Sequence, residues 1–239
     1  MLDGRRFRPS GAFIRYDVFG QMVDPRAAVS FRAAGWFSSL QSWLDSRPDV
    51  RIFNRAARYP ILKPGVLLLA RKLGLETPAS FVTNSLRPFR GKEAAFVVKP
   101  INGGDYCRAL PDVWRSTEIR AGVAATPAIV QEKLVSPDVR VYVIGKKTCT
   151  FAIQSPALDY REDPEPALRY LGAFERTLGA KLIRLNRALG LDFSASDFKT
   201  CSRTGRLKFL EINSGPMFAG FDKTAKGELT DRMVDALTP

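Results

Sequence analysis

The 239-residue chain contains no histidine. That absence removes histidine acid–base catalysis, Ser-His-Asp triads, c-type haem attachment and His-containing zinc sites. Any chemistry must therefore run on carboxylates, lysines, arginines, amides or the backbone. Cysteine is scarce too: Cys107, Cys149 and Cys201 stand more than forty residues apart, and no pair has the spacing of a zinc knuckle or a thiol redox pair. An odd number of scattered thiols fits a reducing compartment. Long hydrophobic runs are also missing. The longest, PGVLLLA from Pro64 to Ala70, falls far short of the roughly 20 residues that span a bilayer. The basic opening MLDGRRFRPSGAFIRYDVFG lacks the apolar core of a secretory signal. A soluble, cytoplasmic protein with no membrane partner is expected.

What is present suits one large domain or two small ones, because apolar residues make up 45% of the chain and charged residues 26%. A wholly disordered chain is excluded. Lysine and arginine number 37 against 24 acids, a net charge of +13, which attracts polyanions. The cations are scattered, however, with Arg5, Arg6 and Arg8 the densest group. No basic and aromatic interleaving suggests a base-stacking surface, so nucleic acid is the disfavoured partner.

Hydrophobic periodicity predicts a helix over Phe31 to Leu44, with Trp36, Phe37, Leu40 and Leu44 as core contacts. A short strand is expected over Val50 to Phe53, then a helical NRAARY. Pro64 opens a helix that Gly74 stops. Strands are expected over Ser80 to Thr83, Ala94 to Lys99 and Ala128 to Lys133, with a glycine turn INGGDYCR between the last two. Two hairpins follow, Val139–Ile144 with Thr148–Gln154 turning at Gly145-Lys146, and SASDFKTCSRTGRLKFLEIN turning at Thr204-Gly205. Helices are expected across RYLGAFERTLGAKLIRLNRALGLD, between the hairpins, and over Asp222 to Leu237. Paired strands with helices between them give an α+β (mixed α/β) fold class, with a boundary expected near Gly91 to Ala95.

Four groups of residues could carry chemistry. In the second hairpin Asp197 lies on the first strand, and Glu211 and Asn213 alternate on the next, facing away from Leu210 and Ile212. Two carboxylates and an amide form an oxygen site suited to magnesium, or simply a solvent face. Lys99 ends the strand FVVK before Pro100 and Gly103-Gly104, where a lysine and close-approaching backbone can meet phosphate. Arg140 alternates with Val139, Val141 and Val143 and so projects from the opposite face, toward a cleft or toward solvent. Ser155, Tyr160 and Arg161 lie in a loop, QSPALDYR, of a kind that often contacts substrate.

The order of these groups resembles the ATP-grasp carboxylate-amine ligases, close to ribosomal-protein glutamate ligases, glutathione-synthetase-like enzymes and microviridin-type peptide-cyclising ligases. The blocks that carry the likeness are KPGVLLLARKLGLETPASFVTNS, FVVKPINGG, IVQEKLVSPDVRVYVIG, FAIQSPALDYR, LGLDFSASDFK and LKFLEINSGPMFAGFD. The resemblance implies an ATP-grasp fold with two subdomains, 61–134 and 135–239, behind a reduced N-terminal region, 1–60. It implies that Lys63 and Lys99 bind ATP phosphates, and that Gln131, Glu132, Lys133 and Leu134 form the adenine hinge, with Asp138 near the ribose. It assigns Asp197, Glu211 and Asn213 to Mg2+, Arg140 with Lys99 to catalysis, and Arg161, Tyr160, Ser155 and Ser214 to the substrate end. The implied reaction activates a carboxylate as an acyl phosphate and transfers it to an amine, or to a hydroxyl, on an amino acid or peptide. Such a path needs electrostatic clamping more than a histidine base. The chain departs from the family in its short region before Lys63, its compact glycine loop, and Ser214-Gly215-Pro216 where many relatives have Asn-Pro. A kinase-like use of the fold and a basic nucleic-acid-binding scaffold are the rival readings, and the oligomeric state stays open.

Overall fold

The computed structural model describes residues 8–14, 26–57, 61–101 and 106–238. Two antiparallel sheets organise the chain. The first has four strands, β3 (Ser80–Ser85), β4 (Phe96–Lys99), β5 (Arg108–Ala109) and β6 (Val123–Glu132), in the order β3-β6-β4-β5. Because strands from both sides of residues 91–95 pair in this one sheet, no boundary falls there. Helix α3 (Leu110–Ser116) covers it, with Phe89, Val98, Leu110 and Val130 in its core.

The second sheet has five strands, β7 (Val135–Ile144), β8 (Lys147–Gln154), β9 (Ala167–Gly172), β10 (Phe193–Thr200) and β11 (Leu207–Asn213), in the order β11-β10-β7-β8-β9. The alternation of β7 decides which layer covers each face. Val139, Val141 and Val143 pack under helices α2 (Lys63–Lys72) and α4 (Arg176–Ala188), through Val66, Leu67, Ala70, Leu182 and Leu185. Tyr142 and Ile144 point the other way, into a cluster with Phe53, Phe151, Phe193 and Leu229. The ends of the chain close this second face: Phe13 meets Phe193 edge-on at 5.0 Å, and Phe53 stacks on it at 5.1 Å. Short parallel strands β1 (Gly11–Ala12) and β2 (Arg51–Ile52) hold the N-terminal segments together.

Four expectations need correction. Residues 169–172, expected to be helical, form part of β9, whose period-two burial pairs it with β8. Gly172, at φ +78°, ends that strand, and Glu175 caps α4 by accepting from the Thr177 and Leu178 N–H groups at 2.8 Å. The C-terminal helix is two helices, α5 (Ala219–Thr224) and α6 (Glu228–Leu237), because Lys226 and Gly227 take left-handed φ values of 56° and 91°. Helix α1 (Ala27–Asp45) forms where periodicity placed it, yet Trp36 is 76% exposed and Leu40 and Trp43 are open as well. Only Leu44 is buried, because α1 is anchored at its last turn, where the Arg55 guanidinium donates to the Leu44, Asp45, Arg47 and Val50 carbonyls. The helix expected at NRAARY is a turn over residues 53–56, and residues 58–60 lie outside the described ones.

Candidate active site

On the face of the second sheet that looks toward the first, Asp197 is the register partner of both Arg140 and Glu211. Cross-strand partners share a face, so three charged side chains form a row over β7, β10 and β11. The Arg140 Nη2 donates to Asp197 Oδ2 at 3.1 Å, and its Nε lies 3.0 Å from Oδ1. Lys63, in the first turn of α2, closes the other end of the row with Nζ 3.2 Å from Glu211. Asn213 lies two residues beyond Glu211, and its Oδ1 accepts from the Gly215 N–H at 2.9 Å. The β10/β11 register shifts between Asp197 and Phe198, leaving Leu210 unpaired as a bulge. Leu210 consequently lines the same cavity as Glu211, a correction to the simple alternation expected for this strand.

A second row runs beside the first. Asp138 and Lys199 are register partners on β7 and β10 with their charges 3.0 Å apart, and Lys199 also donates to the Leu158 carbonyl at 2.9 Å. From the loop after β8, Arg161 grips Asp159 at 2.9 and 2.5 Å, while the Cys107 N–H donates to the same carboxylate at 3.1 Å. The Arg161 guanidinium lies 5.2 Å from the Tyr106 ring centroid. This contact and the Cys107 bond join the chain after β4 to the loop between β8 and β9.

These groups surround a cavity of about 310 Å3 between the sheets. Its wall contains Lys63, Lys99, Gln131, Glu132, Leu134, Asp138, Arg140, Tyr160, Arg161, Asp197, Glu211 and Asn213, so residues far apart in sequence converge as expected. Ser155 and Ser214 are not on that wall. The Ser155 hydroxyl is turned inward, donating to Asp163 at 2.6 Å and accepting from the Ala157 N–H at 3.1 Å. Ser214 offers its carbonyl to Asn54 instead. Gly103 and Gly104 lie outside the described residues. Lys199, Asp159 and Leu210 are on the wall without having been singled out in the sequence. Lys199 was within reach of the period-two argument, as it follows Asp197 by two on one strand.

Of the residues expected to form the adenine hinge, two have engaged side chains: Gln131 donates to the Ser80 hydroxyl at 2.9 Å, and Glu132 accepts from Lys208 at 2.7 Å and the Ala79 N–H at 3.2 Å. Burial pushes Asp197 above the ordinary carboxyl range against the pull of Arg140, with repulsion from Glu211 adding to the rise. Burial also works against a charged Glu211, but Lys99 and Lys63 more than offset it and hold that carboxyl low. Asp138 is raised by burial despite Lys199. Tyr160 is raised by burial and by Asp197, so it stays a neutral phenol. Desolvation opposes the Arg140 charge, yet Asp197 keeps that guanidinium above its usual value.

Each acid on the wall has a cation: Asp138 with Lys199, Asp159 with Arg161, Asp197 with Arg140, Glu211 with Lys63, and Glu132 with Lys208. Among the described residues, Lys99 is the cavity cation left without an ion pair. The donor set also fits a hard divalent cation. Asp197 Oδ1 is buried without a directed hydrogen bond even though Arg140 Nε is near, so it keeps lone pairs for a metal. Among the described residues no three His, Cys, Asp or Glu side chains are grouped for one ion. Two carboxylates and an amide suit Mg2+, which retains water and takes phosphate oxygens to complete its shell. No helix among the described residues is long and apolar enough to cross a membrane.

No protein-family model matches the chain, and no curated protein matches its sequence. Solved structures do. The ATP-grasp ligase PsnB, complexed with minimal precursor, Mg and ADP, superposes with a TM-score of 0.69 at 26% identity, over 97% of this chain and 79% of its own. The macrocyclase MdnC from Microcystis aeruginosa MRC, bound with precursor peptide MdnA, gives 0.67 at 18% identity over 96% and 78%. A Chryseobacterium gregarium RiPP-associated ATP-grasp ligase, in complex with ADP and a leader and core peptide, gives 0.65 at 20% over 95% and 76%. The last two likenesses are of fold. The superposition on PsnB over nearly the whole chain, at 26% identity, makes this protein a member of the ATP-grasp ligase superfamily and an ATP-dependent ligase.

Proposed function

We propose that the enzyme uses Mg-ATP to activate a carboxylate on a peptide as an acyl phosphate, which an amine or hydroxyl of the same peptide class then attacks. The observation that carries this reading is the Arg140–Asp197–Glu211 row on a cavity wall that also holds Lys99. In it, adenine lies against Leu134 and the backbone of Gln131 and Glu132, and Asp138 with Lys199 borders the ribose. Lys63 and Lys99 hold phosphate oxygens. Asp197, Glu211 and Asn213 would hold Mg2+, which when bound neutralises charge on the transferring phosphoryl group.

The roles of the protein groups follow from their chemistry. Lys99 draws the γ-phosphate inward, and Lys63 exchanges part of its hold on Glu211 for phosphate. Arg140, with its fork fixed by Asp197, presents N–H donors to the oxygen that gains charge as the acyl phosphate is attacked. Arg161 and neutral Tyr160 orient the substrate carboxylate, while Met217 and Phe221 supply an apolar wall. PsnB, MdnC and the Chryseobacterium ligase are each seen in complex with a precursor or core peptide, which supports a peptide acceptor here. Three free cysteines support a cytoplasmic location.

Calorimetry of ATP with and without Mg2+, on the native chain and on Glu211→Ala, tests the reading. Magnesium-dependent binding that weakens at least tenfold in the variant is expected, about the loss typical of a missing ligand or its support. Equal, weak, salt-driven binding by both proteins would overturn it. Mass spectrometry of a peptide incubated with enzyme and ATP then separates condensation, which loses water and releases phosphate, from phosphoryl transfer that stops on the substrate.

A further inference from the structure

Asn54 was not singled out by its sequence, and it lies outside the cavity wall. It follows β2 in a left-handed conformation, φ +61°, that non-glycine residues seldom adopt. Its side-chain amide is fully used. The Oδ1 accepts from the Asp192 and Phe193 N–H groups at 3.0 and 2.9 Å, and the Nδ2 donates to the Phe193 and Ser214 carbonyls at 2.7 and 2.8 Å. Its own N–H donates to Asp192 Oδ1 at 2.5 Å. The seat is tight on both sides, because a Cβ on Gly190 would stand 2.0 Å from the Ala56 carbonyl oxygen and Phe53 stacks on Phe193.

Phe193 begins the strand that carries Asp197, and Ser214 directly follows Asn213. One amide thus ties the start of β10 to the end of β11, the two strands that bear all three ligands proposed for Mg2+. We propose that Asn54 is a positioning residue for the metal–phosphate end of the site, contributed by the segment that precedes α2. It touches no ligand. By fixing the Ser214 carbonyl it sets the turn from which Gly215 holds the Asn213 side chain, and so the direction in which that amide can reach. The inference rests on the Mg2+ assignment made above.

The test is Asn54→Gly, which keeps the left-handed backbone accessible and deletes the amide. ATP affinity is measured by calorimetry across a Mg2+ titration and again in EDTA. The expected result is that the Mg2+ concentration for half-maximal enhancement rises about tenfold, the usual scale for loss of support behind a metal ligand, while Mg-free ATP affinity stays within about twofold of native. A merely structural role moves both affinities together or neither, and either outcome overturns the proposal. Should Asn54→Gly not fold, Asn54→Ser carries the same comparison; if neither folds, Asn54 is a folding residue and the proposal falls. Glu211→Ala, measured in parallel, separates the two levels. Unchanged magnesium dependence in Glu211→Ala would defeat the metal assignment itself, whereas a loss there with none in the Asn54 variants defeats this inference alone.

Discussion

Lys199 joins two parts of the cavity that the sequence separates: its ammonium sits 3.0 Å from Asp138 and donates to the Leu158 carbonyl at 2.9 Å. Both charged side chains are nearly buried, 9% and 11% exposed. Removing the lysine would leave Asp138 buried without its cation, and breaking such pairs costs about 3 kcal/mol or more. Lys199→Met is expected to lose stability on that scale in denaturant unfolding and to weaken ATP binding. Lys199→Met/Asp138→Leu should recover much of the stability without recovering the binding.

Arg140 offers a sharper test of chemistry. Its fork meets Asp197 at two points, a geometry that lysine cannot copy. Arg140→Lys is expected to lower product formation by about a hundredfold, the scale of a lost donor to a charge-gaining oxygen. Mg-ATP binding should change far less. Product formation by chromatography and binding by calorimetry provide the comparison, and parallel losses in both would place Arg140 in ground-state binding only.

Acid should weaken the loop between β8 and β9. Burial opposes the Asp159 charge, but the Arg161 fork and the Cys107 N–H hold that carboxyl down at about 2 against a usual 3.8. A depressed folded value means that the contribution, on the order of 2 kcal/mol, is complete above about pH 4. It is lost as pH falls from there toward 2. Asp159→Asn should therefore reduce unfolding free energy near neutral pH and flatten its acid limb, which urea titrations at several pH values would show.

Three further substitutions separate packing from appearance. Gly190→Ala would force a Cβ onto the Ala56 carbonyl at a residue with φ +72°, and a loss of about 2 kcal/mol or more is expected in a thermal melt. Trp36→Ala should shift stability by only about 0.5 kcal/mol, since the ring is 76% exposed. Phe193→Ala, by contrast, should cost about 3 kcal/mol or more.

Much of this site was legible because its strands alternate regularly. Period two put Arg140 opposite Val139, Val141 and Val143, and it put Glu211 and Asn213 on a common face. Leu210 escaped that logic because a bulge moves one residue across without altering the local composition. The exposed aromatics of α1 escaped it because periodicity identifies an apolar stripe but not whether another layer arrives to cover it. Residues 169–172 are too short to distinguish a strand end from a helix start until β8 is beside them. Asn54 left no signal at all, since nothing in the residues around it announces a bond to Ser214.

The clasp at Asn54 also orders events in time. Its side-chain and backbone bonds reach partners 138, 139 and 160 residues further along the chain. As the polypeptide emerges from the ribosome, residues 51–57 can meet β1 and the end of α1, but the Asn54 bonds wait until 192–193 and 214 have followed. Contacts of such separation close late and slowly. The stretch of chain made early is thus among the last to lock, and the end of the cavity proposed to hold Mg2+ is finished only when residue 54 meets residues 193 and 214.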